Sequence, residues 1–246
     1  RYDIYGVDFG DGVIVADTVC FQNGGLRDEE GAEVVGTTHK SATVFTGTVA
    51  GDGIIKVYGN SDIWQLGATG GALLFSAKEG MESKLQNLQL SGLDVDGLDF
   101  SNLTGLTSLT VNNSRIASID VSKSAELKSL TIICTRVSEF EPQLKSIDLS
   151  GNPNLQSLTL GSSFYKKGQL TSIDLSNNPA LETIVIGNNQ LSSITLPAGA
   201  NVNQLSLEQN QLTELDLSVL GSLKGLQVND NQLTELDLSV LGSLKG

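Results

Sequence analysis

The chain has 246 residues, 28 acidic and 15 basic, and a net charge of −13. That balance argues against nucleic acid or an anionic membrane as partner, because phosphate binding needs a basic stripe and the only Lys/Arg doublet is Lys166–Lys167. No apolar run approaches the roughly 20 residues needed to cross a bilayer, and Cys20 and Cys134 are too few for a disulfide framework.

Residues 1–50 are rich in Gly and Asp and read as a β-rich or irregular region, with β-prone runs at Gly12–Ala16 and Ala42–Val49 and an exposed turn at Arg27–Glu30. The chain opens at Arg1 rather than Met, as it would after removal of a targeting segment. Residues 51–84 tighten into three short strands, "GIIKVYG", "DIWQLGA" and "ALLFSA", split by Gly and Asn turns. Their apolar residues, Ile54, Ile55, Val57, Trp64, Leu66, Leu73, Leu74 and Phe75, suit a cap over the repeats that follow. A separate small domain over residues 1–40 is the alternative.

From Leu85 onwards one apolar frame recurs, with apolar residues at positions 1, 4, 6, 11, 14 and 16 of each unit. Units start at Leu85, Leu106, Leu127, Leu155, Leu181, Val202 and Leu223, and Leu244 opens another. The steps are 21, 21, 28, 26, 21, 21 and 21 residues, a period that marks a solenoid. Positions 4 and 6 alternate as in a strand, and so do positions 14 and 16, so each coil is a flattened loop with two inward apolar edges. "LTELDLS" shows alternation and no helical stripe, which predicts extended structure on both arms.

The frame "LxxLxLxxNxLxxLDLSxN" resembles the leucine-rich-repeat proteins of bacterial cell surfaces, in particular the 21-residue type of Bacteroides-group surface proteins and, more distantly, internalins. The resemblance covers residues 85–246 and implies a mainly β, right-handed leucine-rich-repeat solenoid, with parallel strands on both arms and an N-terminal β-rich cap. It also implies extracellular recognition, of protein or sometimes of glycan. Asn189, Asn210 and Asn231 match the family asparagine at position 9, whose side chain bonds to backbone groups in the turn; Ser114, Thr135 and Ser163 replace it in earlier units.

Position 15 carries Asp99, Asp120, Asp148, Asp174, Asp216 and Asp237. Carboxylates stacked about 4.8 Å apart repel by roughly 1 kcal/mol per adjacent pair in water, tolerable if each accepts a hydrogen bond from the turn that follows; a cation-binding edge is the alternative. Asp94, Asp96 and Asp99 do not make a calcium loop, since "DVDGLDFSNLTG" lacks a Gly at its sixth and an acidic residue at its twelfth position. His39 is the sole histidine and stands in no nucleophile motif, so neither an enzyme nor a cofactor is expected. Cys20 and Cys134 either stay as free thiols or pair, closing a loop worth about 4–5 kcal/mol in the chain-entropy model.

Positions 3, 5 and 7 alternate outwards and form the face open to a partner. Thr131, Ile133, Thr159, Val185, Ser206, Glu208 and Gln227 are its candidate contacts. The face is small and polar, short of the Trp, Tyr and Arg that dominate binding hot spots. The longer steps insert residues 137–143, with Phe140, and residues 164–168, with Phe164, Tyr165, Lys166 and Lys167. Insertions in a solenoid emerge as edge loops, and these two lie in successive coils.

Residues 210–225, "NQLTELDLSVLGSLKG", recur unchanged at 231–246, by recent duplication or engineered extension, and the chain stops just after opening a coil, as a piece of something longer would. The expected function is a non-enzymatic extracellular or cell-surface module that binds a protein or glycan through the strand face and the two loops. A structural spacer presenting another domain is the alternative.

Overall fold

The computed structural model describes residues 4–8, 14–15, 26–27, 33–34, 54–59, 65–69, 74–77, 86–91, 97–100, 103–112, 116–134, 144–162, 167–239 and 241. Strands and turns make up these residues, with no helix among them. In chain order the strands are β1 (Ile4–Asp8), β2 (Ile14–Val15), β3 (Leu26–Arg27), β4 (Glu33–Val34), β5 (Ile54–Gly59), β6 (Gln65–Thr69), β7 (Leu74–Ala77), β8 (Asn87–Ser91) and β9 (Gly97–Asp99). They continue as β10 (Ser108–Asn112), β11 (Ser118–Asp120), β12 (Ser129–Cys134), β13 (Ser157–Ser162), β14 (Ser172–Asp174), β15 (Thr183–Gly187), β16 (Ser193–Thr195), β17 (Gln204–Ser206) and β18 (Gly225–Gln227).

The first arm of every coil enters one eight-stranded sheet, in the order β18-β17-β15-β13-β12-β10-β8-β6. All of its pairs are parallel and join equivalent repeat positions, as in Leu109 with Leu130 and Leu158 with Ile184. Alternation sets which side chains turn inwards: in β10, Leu109 and Val111 are fully buried while Ser108, Thr110 and Asn112 are half-buried. The fold is thus a mainly β leucine-rich-repeat solenoid.

The sheet begins earlier than the period alone places it. β6 pairs in register with β8, Leu66 with Leu88 and Ala68 with Leu90. Leu66 precedes Leu88 by 22 residues rather than 21, and Ala68 stands where later coils carry a large apolar side chain. Both departures hide this copy from a frame built on leucine. β5 and β7 pair in parallel, with β7 against β9 of the second arm, and β1 and β2 extend that sheet antiparallel in the order β2-β1-β5-β7. β3 and β4 form an antiparallel pair, so Arg27, read as part of a turn, lies in a strand. The Ala42–Val49 run and His39 fall outside the described residues.

The second arm is less regular than its strand-like spacing suggests. β9 pairs with β11 and β14 with β16, three residues each, and the other coils are extended without a ladder. Shortness follows from position 15. In five coils the Asp there accepts the N–H of the serine two residues on, at 2.8–2.9 Å for Asp120, Asp148, Asp174, Asp216 and Asp237, and this bends the chain just past the strand.

A seventh inward position lies four residues after the Asp of each of these five turns and after Asp99. It holds Leu103, Ser124, Asn152, Asn178, Leu220 and Leu241, all buried. Asn152 Nδ2 donates to the carbonyls of Val121 and Ser124 at 3.0 and 2.9 Å, and Asn178 Nδ2 to those of Leu149 and Asn152 at 2.9 and 3.0 Å. Ser124 Oγ reaches Leu103 O at 3.0 Å. Side chains of one coil therefore satisfy the backbone of the coil before it. Asn152 Oδ1 and Asn178 Oδ1 have no partner among the described residues.

The two identical segments isolate what buries the core. Leu212 is fully buried and Leu217 is 2% exposed, while their counterparts Leu233 and Leu238 are part-buried and 48% exposed. The local sequence is the same; only the neighbouring coil differs. Leu217→Ala is therefore expected to cost about 2–5 kcal/mol, as for buried leucines, and Leu238→Ala less than about 1 kcal/mol. Urea unfolding of the two variants measures this, and equal costs would contradict the register described above.

Candidate functional site

The outward face of the first arm is set by the parallel register. Position 5 runs as one row, Thr131 beside Thr159, Val185, Ser206 and Gln227. Thr131, Thr159 and Val185 are half-buried and Gln227 is exposed. Ser206 is only 6% exposed, which corrects its assignment as a contact residue: its short side chain lies in the row between Val185 and Gln227. Position 7 forms the next row, with Ile133 beside Gly161 and Gly187, and Glu208 in the following coil.

The two glycines leave that row bare. A Cβ added at Gly161 would meet nothing nearer than Gly187 O at 4.0 Å, and one at Gly187 nothing nearer than Glu208 O at 3.7 Å. The face thus carries a shallow trough between Ile133 and Glu208, bordered by Thr159 and Val185.

The strands that precede both insertions end beside this trough. Cys134, the last residue of β12 before the first insertion, pairs with Ser162, the last of β13 before the second, and Ser162 Oγ donates to Cys134 O at 3.1 Å. Phe140, Phe164, Tyr165 and Lys166 fall outside the described residues; Lys167 is exposed. Gly168, read as the end of the second insertion, belongs instead to the repeat. It is buried, its N–H donates to Asn188 O at 2.8 Å, and its carbonyl accepts Gln190 Nε2 at 2.9 Å. A Cβ there would collide with Asn189 Oδ1 and press on Asn188 O at 3.3 Å, so a larger residue would displace the Asn189 side chain.

The asparagines of position 9 hold the edge from which the loops emerge. Asn210 Nδ2 donates to Ile186 O at 2.7 Å and Leu207 O at 3.0 Å, while its Oδ1 accepts the Leu191 N–H at 3.0 Å. Asn231 repeats the pattern with Leu207 O, Val228 O and the Leu212 N–H. Asn189 reaches Gly187 O at 2.9 Å. The residue before each, Asn188, Gln209 and Asp230, has φ of 54–57°, a left-handed conformation held by the ladder. The companion ladder of Asn152 and Asn178 had a visible signal, the "SxN" that closes the repeat frame in "DLSGN" and "DLSNN".

Cys134 carries a free thiol, and burial pushes it up to about 11 against the opposing effect of a backbone hydrogen bond from Ile116. It is therefore a protonated core group and not a nucleophile. A small cavity of about 20 Å³ touches it, lined also by Leu144, Ser162, Gly168 and Asn189. Among the described residues no three His, Cys, Asp or Glu side chains converge as a metal site, and no helix is long and apolar enough to cross a membrane.

No protein-family model matches the chain, and no curated protein does. Among solved structures it is similar to the functional domain of InlJ from Listeria monocytogenes, described as including a cysteine ladder, with 25% identity and a TM-score of 0.36 over 68% of this chain and 45% of that one. It is also similar to a leucine-rich-repeat protein of Leptospira interrogans, with 18% identity and a TM-score of 0.46 over 75% of this chain and 60% of that one. The chain thus spans less than two thirds of either.

The Asp turns generate a pH dependence. Asp148, Asp216 and Asp237 lie below the ordinary carboxylate value chiefly through the hydroxyls of Ser150, Ser218 and Ser239 and then through the backbone N–H groups; at Asp174 the Ser176 N–H comes first. A pKa lowered in the folded state gives stability that is present above the unfolded value, about 3.9, and lost as pH falls through the folded one. The urea midpoint is expected to fall below about pH 4. The fall should be shallower in Asp174→Asn/Asp216→Asn, whose amide oxygens still accept the N–H but do not titrate. An unchanged slope would mean these turns do not contribute.

Proposed function

We propose that the chain is a non-enzymatic recognition module of the bacterial-surface leucine-rich-repeat kind, working outside the cell and binding a protein or glycan at the insertion edge of its strand face. The observation that supports this reading is the pairing of Cys134 with Ser162, which sets the strand ends that precede the two insertions side by side, next to the bare row at Gly161 and Gly187.

The chemistry of the insertions supports it. Phe164 and Tyr165 offer rigid aromatic area at small entropy cost, and Lys166 and Lys167 place positive charge on a chain of net −13, where they steer an acidic partner. The trough at Gly161 and Gly187 offers Ile133, Thr159 and Val185 along its sides and Glu208 as a polar border. Thr131 and Gln227 extend the surface along the position-5 row. The repeat explains the remaining polar groups as turn and ladder components, which leaves no constellation suited to covalent chemistry among the described residues.

The test replaces Phe164, Tyr165, Lys166 and Lys167 together by Ser and screens the chain against a glycan array and extracellular proteins. Binding is expected to be lost while the thermal midpoint shifts by no more than about 4 °C. Binding that survives this change, but fails when Thr131, Thr159 and Val185 become Arg, would move the site onto the strand face alone. A chain that binds nothing in either screen would favour the spacer role.

A further inference from the structure

The second arm of the last coils contains a cleft unlike anything on the strand face. Position 14 is sealed at Ile119 and Ile173, 8% and 5% exposed, whereas Ile194, ladder-paired with Ile173 on one side only, is part-buried. Ile147, on an unpaired arm, is only part-buried. The β14–β16 ladder ends at Ser193–Thr195, and no backbone hydrogen bond among the described residues joins that strand to residues 214–216, or those to residues 235–237. The result is a cleft of about 810 Å³ across three coils, in which Ile194, Leu215 and Leu236 are part-buried.

The residues on either side of this apolar strip are acidic. Glu214 and Asp216 flank Leu215, and Glu235 and Asp237 flank Leu236, while no Lys, Arg or His lines the cleft. The Ser218 and Ser239 N–H groups hold Asp216 Oδ1 and Asp237 Oδ1 at 2.8 Å, which fixes the direction of those two carboxylates. Unoccupied, the cleft keeps like charges beside wetted apolar surface, and both are unfavourable. An occupant that covers the strip and neutralises its borders relieves both. No three carboxylates converge there as they would for a metal ion.

We infer that this cleft docks an extended basic segment of a partner protein, with apolar side chains over Ile194, Leu215 and Leu236 and Lys or Arg beside Glu214, Asp216, Glu235 and Asp237. The site is distinct from the strand face and its loops, and stands or falls without them.

The experiment uses the full chain and a labelled peptide of alternating lysine and leucine, with fluorescence anisotropy as readout. Expected is saturable binding, weakened about fivefold or more by Glu214→Gln/Glu235→Gln and little by Glu126→Gln/Glu182→Gln, which removes the same charge from exposed positions elsewhere. About 0.5 M salt should weaken binding as well. A peptide alternating lysine with serine should bind clearly more weakly. Equal loss in both double variants would reduce the effect to net charge and overturn the site, and so would no binding by the unaltered chain. A serine peptide that binds as tightly as the leucine one would overturn the role of the strip.

Discussion

The burial of each coil's two apolar edges by the coil beside it is the interaction on which the rest of the molecule depends. Segments 210–225 and 231–246 share every residue, yet Leu217 is 2% exposed and Leu238 48%. A leucine here has no intrinsic burial, only a neighbour that confers it. At about 25 cal/mol per Å² of apolar surface, each contact between coils contributes a modest amount, and stability accumulates coil by coil. That additivity also explains the tolerance for irregular steps. The 28- and 26-residue units keep Leu144, Leu149, Leu170 and Leu175 buried, so the extra length does not displace the inward positions.

Flattened coils need sharp turns, and the backbone there needs hydrogen-bond partners that no ladder supplies. Three polar positions meet this need in different ways. The asparagine of position 9 bridges successive coils, taking an N–H and giving to carbonyls; Asn152 and Asn178 give only to carbonyls; the aspartate of position 15 serves its own turn. The first two tie one coil to the next, so they add orientation to a contact that apolar burial leaves unoriented. The third ties one oxygen of each aspartate to its own turn and fixes the direction of the carboxylate. It makes the column a feature of folding, with each charge anchored by the N–H two residues on.

The core was legible because it repeats. Period and alternation placed the inward leucines and the outward face, and the matching asparagines placed one ladder. What stayed hidden is what departs from the frame. The Leu66 copy has a 22-residue step and Ala68 in place of a large side chain, so its place in the sheet emerges only from pairing with β8. Gly168 looked like the tail of an insertion because spacing alone cannot say at which residue a loop rejoins its stack; its contact with Asn189 does. Ser206 alternates outwards on paper, but exposure depends on the neighbours in its row. On the second arm, spacing showed which residues face in but not whether adjacent arms would pair, and the cleft follows from the pairing that is missing.

A repeat that fixes its inward and turn positions so tightly leaves recognition to residues free of both tasks. On the first arm the residues proposed for it are the row at Gly161 and Gly187, kept bare between Ile133 and Glu208, and the insertions that follow Cys134 and Ser162 in sequence. On the second they are Glu214 and Glu235, which border an apolar strip. On the proposed readings, the lysine-bearing insertion would favour an acidic partner and the carboxylate-lined cleft a basic one. Coulomb attraction falls off with distance and is screened within about a Debye length of 8–10 Å, so surfaces of opposite preference can coexist on one chain when different arms carry them. The flattened coil supplies that separation: residues between the two apolar edges fill the core, and each arm turns its outward side chains away from the other. Under the two proposals, one scaffold would meet two partners of opposite charge without either surface weakening the other.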